Sequence, residues 1–235
     1  MNTTPNPLDS LYEASLIDEG FYSGNLFDFL NSEEIERTKS IIDKVKKFSI
    51  EERDTQLYCR YNYHLDAGDD EYKHSIKLSE VANRNEFIKE NKKHITQKWF
   101  EFNGFDRDCM YFMEISKKIL DKFYPNIKID YNQNPQFTLY EDGHFIEEHS
   151  DGENIGRVCG LIIYLSYDAD YNDGGGELIV TSNTGKLYNI KPTFGTFSLL
   201  DFTNNDVRHS VSEVKNGFKR YAFTSFFNKV KIKFI

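Results

Sequence analysis

The chain has 235 residues, 38 acidic and 29 basic, with a net charge of -9. That is long enough to bury a substantial core, and the acidic balance without a dense Lys/Arg stripe argues against a nucleic-acid partner. Cys59, Cys109 and Cys159 are odd in number, widely spaced and free of any C-x-x-C pair, so they read as reduced thiols rather than a disulfide framework or a thiolate zinc site.

Residues 1–20 are polar and proline-containing and read as a loosely ordered lead-in. This stretch lacks the basic and apolar regions of a signal peptide, and no run approaches the roughly 18 apolar residues of a membrane span. The expectation is a soluble, cytoplasmic protein with no membrane partner. "LNSEEIERTKSIIDKVKKF" predicts a helix, because Asn31 and Glu34 have capping-box spacing and Ile35, Ile41, Ile42, Val45 and Phe48 recur at helical intervals. Residues 49–77 predict a strand followed by an acidic, Gly-containing loop, and residues 78–103 a partly helical polar segment. "DCMYFMEISKKILDKFYP" predicts a firmer helix through Met110, Met113, Ile119, Leu120 and Phe123, ended by Pro125.

After Pro135 the pattern changes to short strand-like runs separated by turn signals at Asp142-Gly143, Asp173 to Gly176, Asn183 to Gly185 and Asn216-Gly217. The triple glycine 174–176 reads as a plain hairpin turn. Helical and strand-like regions are segregated along the chain, so the fold class is α+β. The strand spacing suggests an antiparallel jelly roll, with the N-terminal helices supporting its sheet.

Candidate chemistry sits in "EEHSDGEN". Residues i and i+2 of a strand share a face, so His149 and Asp151 can aim an imidazole nitrogen and a carboxylate oxygen at one point. In "NNDVRHSVSEV", His209 begins a later strand that a jelly roll would fold back beside the first. Two histidines and one carboxylate leave one face of an iron(II) ion open, which suits oxygen chemistry better than the closed shell common for zinc.

From Tyr140 to Phe227 the chain resembles the 2-oxoglutarate and iron(II)-dependent dioxygenases, especially their prolyl 4-hydroxylase-like branch. The resemblance runs in order through "YEDGHFIEEHSD", "GRVCGLIIYLS", "GGGELIV", "IKPTFGTFSLLDF", "RHSVSEV" and "KRYAFTSFF". It implies a double-stranded β-helix, cupin-like core over about residues 135–230, within one domain spanning 21–235 whose helical support region covers about 21–130. It implies Fe(II) held by His149, Asp151 and His209, with 2-oxoglutarate as cosubstrate, O2 as oxidant and ascorbate as a candidate stimulant. The family's anchor for the distal carboxylate falls on Arg220, whose planar fork suits bidentate carboxylate binding. Its neighbour Lys219 has the opposite strand parity, so only one of the two faces inward. Tyr164 and Tyr140 match cosubstrate-pocket tyrosines, and Thr224 shares the Arg220 face. Arg157 and Glu147 are candidate substrate contacts. The related radical halogenases lack the carboxylate that Asp151 supplies, so hydroxylation coupled to decarboxylation of 2-oxoglutarate to succinate and CO2 is the expected reaction.

The substrate class is open between a prolyl or other residue in a protein or peptide, a free amino acid, and a small metabolite; the oligomeric state is also open. The acidity around His149 reads first as a solvated rim and second as a mouth for a cationic substrate. His64, His74, His94 and His144 read as ordinary surface or hydrogen-bonded histidines. A nucleic-acid demethylase of this fold would carry a second arginine where Phe226 stands. A metal-free binding module would have lost at least one of His149, Asp151, His209 and Arg220, and all four are present.

Overall fold

The structure, a computed structural model, describes residues 16, 18–47, 107–131, 135–152, 156–203 and 207–230, and the backbone of residue 106 and of the strands at 57–62, 73–77 and 95–102. Strand β1 (Phe21–Asn25) leads through a short 3-10 turn into helix α1 (Ser32–Lys46). Then follow β2 (Leu57–Asn62), β3 (Lys73–Lys77), β4 (Ile95–Phe102) and helix α2 (Asp106–Phe123). The remainder is β5 (Ile129–Asp130), β6 (Gln136–Tyr140), β7 (Ile146–Ser150), β8 (Arg157–Tyr164) and β9 (Leu178–Thr181). β10 (Leu187–Ile190), β11 (Thr196–Asp201), β12 (Arg208–Val211) and β13 (Arg220–Lys229) complete it.

The strands pair in the order β1-β11-β8-β13-β6-β4-β7-β12-β9-β10, with every pairing between named strands antiparallel. The first half is a major sheet and β7-β12-β9-β10 a minor one, joined through the single pair Gln97–Ile146 between β4 and β7. This is the expected double-stranded β-helix, an antiparallel sheet folded over on itself, with helices on the outside.

Period-two alternation divides the major sheet cleanly. Phe137 and Leu139, Leu161 and Ile163, Phe197 and Leu199, and Tyr221, Phe223 and Phe227 join Ile41, Ile42 and Val45 of α1 and Phe112, Ile115, Ile119 and Phe123 of α2 in one buried cluster. Phe112 stacks on Phe223 at 5.1 Å between ring centroids. The opposite faces of the same strands supply Tyr140, Ile162, Tyr164, Leu200 and Ala222 to a second cluster, shared with Leu178, Val180 and Val211 of the minor sheet. The candidate site lies in this second interior.

Helix α1 begins with the expected capping box: the Glu34 amide donates to the Asn31 side chain at 2.9 Å, and the Asn31 amide donates to the Glu34 carboxylate at 3.0 Å. Phe48 lies outside the described residues. Several expectations are corrected. Residues 49–77 hold two strands, β2 and β3, paired from Tyr58–Lys77 to Asn62–Lys73. The described end of the stretch expected to be partly helical is strand β4, which slots beside β6 through Phe100–Leu139 to Phe102–Phe137; residues 78–94 lie outside the described ones. The strand at its end depends on a sheet edge offered from elsewhere in the chain, which residues 78–103 do not themselves signal. Met110 is 67% exposed, since the buried stripe of α2 runs Phe112–Ile115–Ile119–Phe123, and a residue two positions before Phe112 faces away from it. Leu16 is buried and Glu19 accepts from the Asn183 amide, so the end of the expected lead-in is anchored; residues 1–15 lie outside the described ones. Neither Cys109 nor Cys159 forms a disulfide among the described residues. No described helix is long and apolar enough to cross a membrane.

Two stability outcomes follow from these packing facts. Asn31→Ala should cost about 1 kcal/mol in denaturant unfolding, because it removes the cap acceptor. The Ser225 hydroxyl is buried in the helix-facing layer with no hydrogen-bond partner among the described residues, so Ser225→Ala should leave the unfolding midpoint unchanged or raise it; a clear loss of stability would show that the hydroxyl is satisfied.

Candidate active site

The antiparallel register of β7 and β12 makes His149 and His209 direct cross-strand partners. Residues directly opposite sit closer than any other interstrand pair, so both imidazoles come to one spot, their ring centroids 4.3 Å apart. Asp151 follows the end of β7. Its Oδ2 lies 3.4 Å from His209 Nε2 and 3.7 Å from His149 Nε2, and the ligand atoms of all three residues fall within 4.8 Å of one another. Sequence spacing brings His149 and Asp151 together; the β7–β12 register adds His209.

Protonation favours metal ligation. His149 Nδ1 is 2.8 Å from the Glu147 carbonyl oxygen, which can only accept, so Nδ1 carries a proton and Nε2 is the ring atom turned towards Asp151. Burial pushes the Asp151 carboxyl up, but the hydrogen bond from His209 and the charges of His209, His149 and Arg157 outweigh it and hold the group below its usual range. The result is an ionised carboxylate beside two imidazole nitrogens.

Arg157, a candidate substrate contact, lies against the loop after β7. Its guanidinium donates to the Asp151 backbone carbonyl at 2.8 Å, lies 3.7 Å from the Asp151 carboxylate and covers the Phe226 ring at 4.1 Å. It therefore braces the loop that carries Asp151. Of the acidic residues nearby, Glu147 is exposed, Glu148 pairs with Arg208 at 3.1 Å, and Asp142 accepts from the Gly217 amide at 2.9 Å. Glu148 and Asp142 are thus engaged in surface and turn contacts. His144 is buried, and its backbone links the turn after β6 to Val214. The side chains of His64, His74 and His94 lie outside the described residues.

At the start of β13, Arg220 is 2% exposed and its neighbour Lys219 is outside, paired with Glu141 at 3.3 Å. Arg220 stands opposite Tyr140 in register, its guanidinium 4.9 Å from the Tyr140 ring and 5.3 Å from the Tyr164 ring. Among the described residues no carboxylate pairs with it. A buried cation without a counter-charge is costly, so the pocket is built for an anion. Burial raises the Tyr164 hydroxyl pKa, offset in part by the Arg220 charge and by hydrogen bonds with Ser198 and Arg220. Thr224 lies half-buried on the same face of β13, opposite Ile162.

Two pocket residues were not anticipated. Ser198 is fully buried, 3.1 Å from the Tyr164 hydroxyl; its signal was a polar residue at an interior parity in the apolar run "TFSLLDF". The Gly176 carbonyl accepts from Arg220 Nε at 2.8 Å, which no side-chain pattern could disclose.

Residues 135–228 match the model of the 2OG-Fe(II) oxygenase superfamily. The strand-rich second half of the chain is thus similar to the oxygenases of that superfamily. Its fold is similar to a Pseudomonas putida prolyl-4-hydroxylase, with TM-score 0.56 and 13% identity over 94% of this chain and 100% of that one. It is also similar to a prolyl hydroxylase from Trichoplax adhaerens in complex with a hypoxia inducible factor peptide fragment, with TM-score 0.54 and 19% identity over 94% and 89% of the two chains. A third likeness is the viral collagen prolyl hydroxylase of Paramecium bursaria Chlorella virus-1 in its 2OG complex, with TM-score 0.52 and 16% identity over 90% and 97%. No curated protein matches the chain. The oxygenase family works with Fe(II) and 2-oxoglutarate, and the residues present fit both: an ionised carboxylate with two imidazoles at one end, and a buried arginine without a carboxylate partner in the same interior.

Because Arg157 braces Asp151 without ligating, Arg157→Ala should weaken Mn(II) binding about tenfold in calorimetry. Asp151→Ala should abolish it. Equal, wild-type affinity in both variants would show that the metal binds elsewhere.

Proposed function

We propose that this oxygenase hydroxylates an unactivated C–H bond of a peptidyl or free amino-acid substrate, a prolyl residue foremost, while converting 2-oxoglutarate to succinate and CO2. The observation that carries the reading is the pairing of a convergent His149–Asp151–His209 set with the buried, carboxylate-free Arg220 inside one jelly-roll interior. Iron(II) with 2-oxoglutarate supplies the activation of O2 that such an oxidation needs.

The chain's own residues do the rest. His149 and His209 would offer imidazole nitrogens and Asp151 a carboxylate oxygen to an iron(II) ion, a donor set that would leave room for small ligands. Glu147 fixes the His149 tautomer through its carbonyl, and Arg157 holds the Asp151 backbone in place. Arg220 receives the distal carboxylate of the cosubstrate with its planar fork, and the Tyr164 hydroxyl, set by Ser198, adds a donor. Tyr140 walls the pocket across from Arg220, and Thr224 supplies a further hydroxyl on that face. The apolar lining of Ile162, Leu200 and Ala222 keeps water from competing for the guanidinium.

A peptide substrate is favoured by the company this fold keeps: prolyl hydroxylases recur among the similar structures, and one of them was captured with a peptide. Asp151 favours hydroxylation over halogenation, since a carboxylate occupies the place a halide would need.

The test is succinate formation by the iron-reconstituted protein with 2-oxoglutarate and O2, run with pools of proline-containing peptides and of free amino acids. One pool should stimulate succinate release, Asp151→Ala should abolish it, and Arg220→Ala should raise the KM for 2-oxoglutarate roughly 10- to 100-fold, the value of a lost charge-assisted pair. No metal binding and no succinate with either pool would overturn the oxygenase reading.

A further inference from the structure

The segment between Tyr171 and Leu178 contains three consecutive glycines whose places are set by contact as well as by turn geometry. A Cβ on Gly174 would lie 2.2 Å from the Phe218 Cβ, and one on Gly175 2.0 Å from the Glu213 carbonyl oxygen. A Cβ on Gly176 would lie 3.0 Å from both Arg220 Cδ and Val214 Cγ2. Gly175 and Gly176 also have φ of +66° and +73°, which side chains of L-residues rarely adopt. The backbone is thus pressed against the β12–β13 connection along its whole length.

Both ends of the strap are tied to that connection. The Lys215 amide donates to the Gly174 carbonyl at 2.7 Å. At the other end the Glu177 amide donates to Ser212 Oγ at 3.0 Å, while the Ser212 and Tyr171 hydroxyls both donate to the Glu177 carboxylate. Between these ties the Gly176 carbonyl takes the Arg220 Nε hydrogen. A hairpin turn alone would need neither the close approach nor the paired ties.

We infer that the 174–176 strap is the positioning element of the cosubstrate anchor: the Gly176 carbonyl holds Nε and so fixes the guanidinium plane beside Tyr140 and Tyr164, with its terminal nitrogens turned to where the carboxylate of 2-oxoglutarate would bind. The inference rests on the reading of Arg220 as that anchor. An arginine loses little rotational freedom on binding when one edge of its fork is already pinned. The strap therefore raises affinity for 2-oxoglutarate without touching it.

The experiment is a double-mutant cycle read as the dissociation constant of 2-oxoglutarate by anaerobic calorimetry on the Mn(II)-loaded protein. Gly176→Ala should weaken binding about tenfold, the worth of a hydrogen bond to a charged group. In an Arg220→Lys background, where no Nε remains to be held, the same substitution should cost less than about threefold. In turnover the loss should appear in the KM for 2-oxoglutarate far more than in kcat. Glu177→Ala, which cuts both side-chain ties and adds no volume at Arg220, should shift affinity in the same direction by about threefold, and decides the matter if Gly176→Ala does not fold. Unchanged affinity in the folded glycine variant, or an equal cost of Gly176→Ala in both backgrounds, overturns the positioning role. Wild-type affinity in Arg220→Lys would instead refute the anchor reading itself, a result distinct from either.

Discussion

Strands β6, β8, β11 and β13 of the major sheet bury both of their faces, and the backbone pleat gives alternate residues to each. One face needs apolar bulk against α1 and α2, and the other needs whatever the interior between the two sheets requires. In β13 this alternation is almost complete: Tyr221, Phe223 and Phe227 pack towards the helices, while Arg220 and Ala222 point inward. A slip of one residue would bury Lys219 in place of Arg220 and push Phe223 into the pocket. The same large aromatic residues that stabilise the helix–sheet layer therefore fix which residues reach the candidate site.

The minor sheet works by a different constraint. It is only four strands wide and carries one of the two key registers, the facing pair His149–His209. Arg208, next to His209, faces out and pairs with Glu148, next to His149, so the outer face holds a charged cross-strand pair where the inner face holds two imidazoles. Arg208 is in register with Ser150, so its pairing with Glu148 runs diagonally across the strands and supports the register that brings the histidines together. The single β4–β7 pair then ties this sheet to the major one.

The two ends of the pocket differ in how they are held. At the metal end, side chains are oriented by backbone carbonyls that sit close in sequence: Glu147 for His149, and Asp151 itself for Arg157. At the Arg220 end the partners come from distant strands: Gly176 before β9, Tyr140 on β6, Tyr164 on β8 and Ser198 on β11. A site assembled from so many strands forms only when the whole jelly roll has closed, which couples its assembly to global folding.

The residue pattern alone determined a good deal: the capped helix α1, the strand-rich second half and its turns, the shared face of His149 and Asp151, and the inward choice of Arg220 over Lys219. All of these depend on periodicity or on residues close in the chain, which local stereochemistry dictates. What only the tertiary structure decided are the strand at residues 95–102, whose hydrogen-bonding partners lie far away, the direct facing of His149 and His209, the engagement of Arg157 with Asp151, and the contact of Gly176 with Arg220. Each of those is a long-range pairing or a backbone carbonyl, and neither carries a signature in the order of side chains.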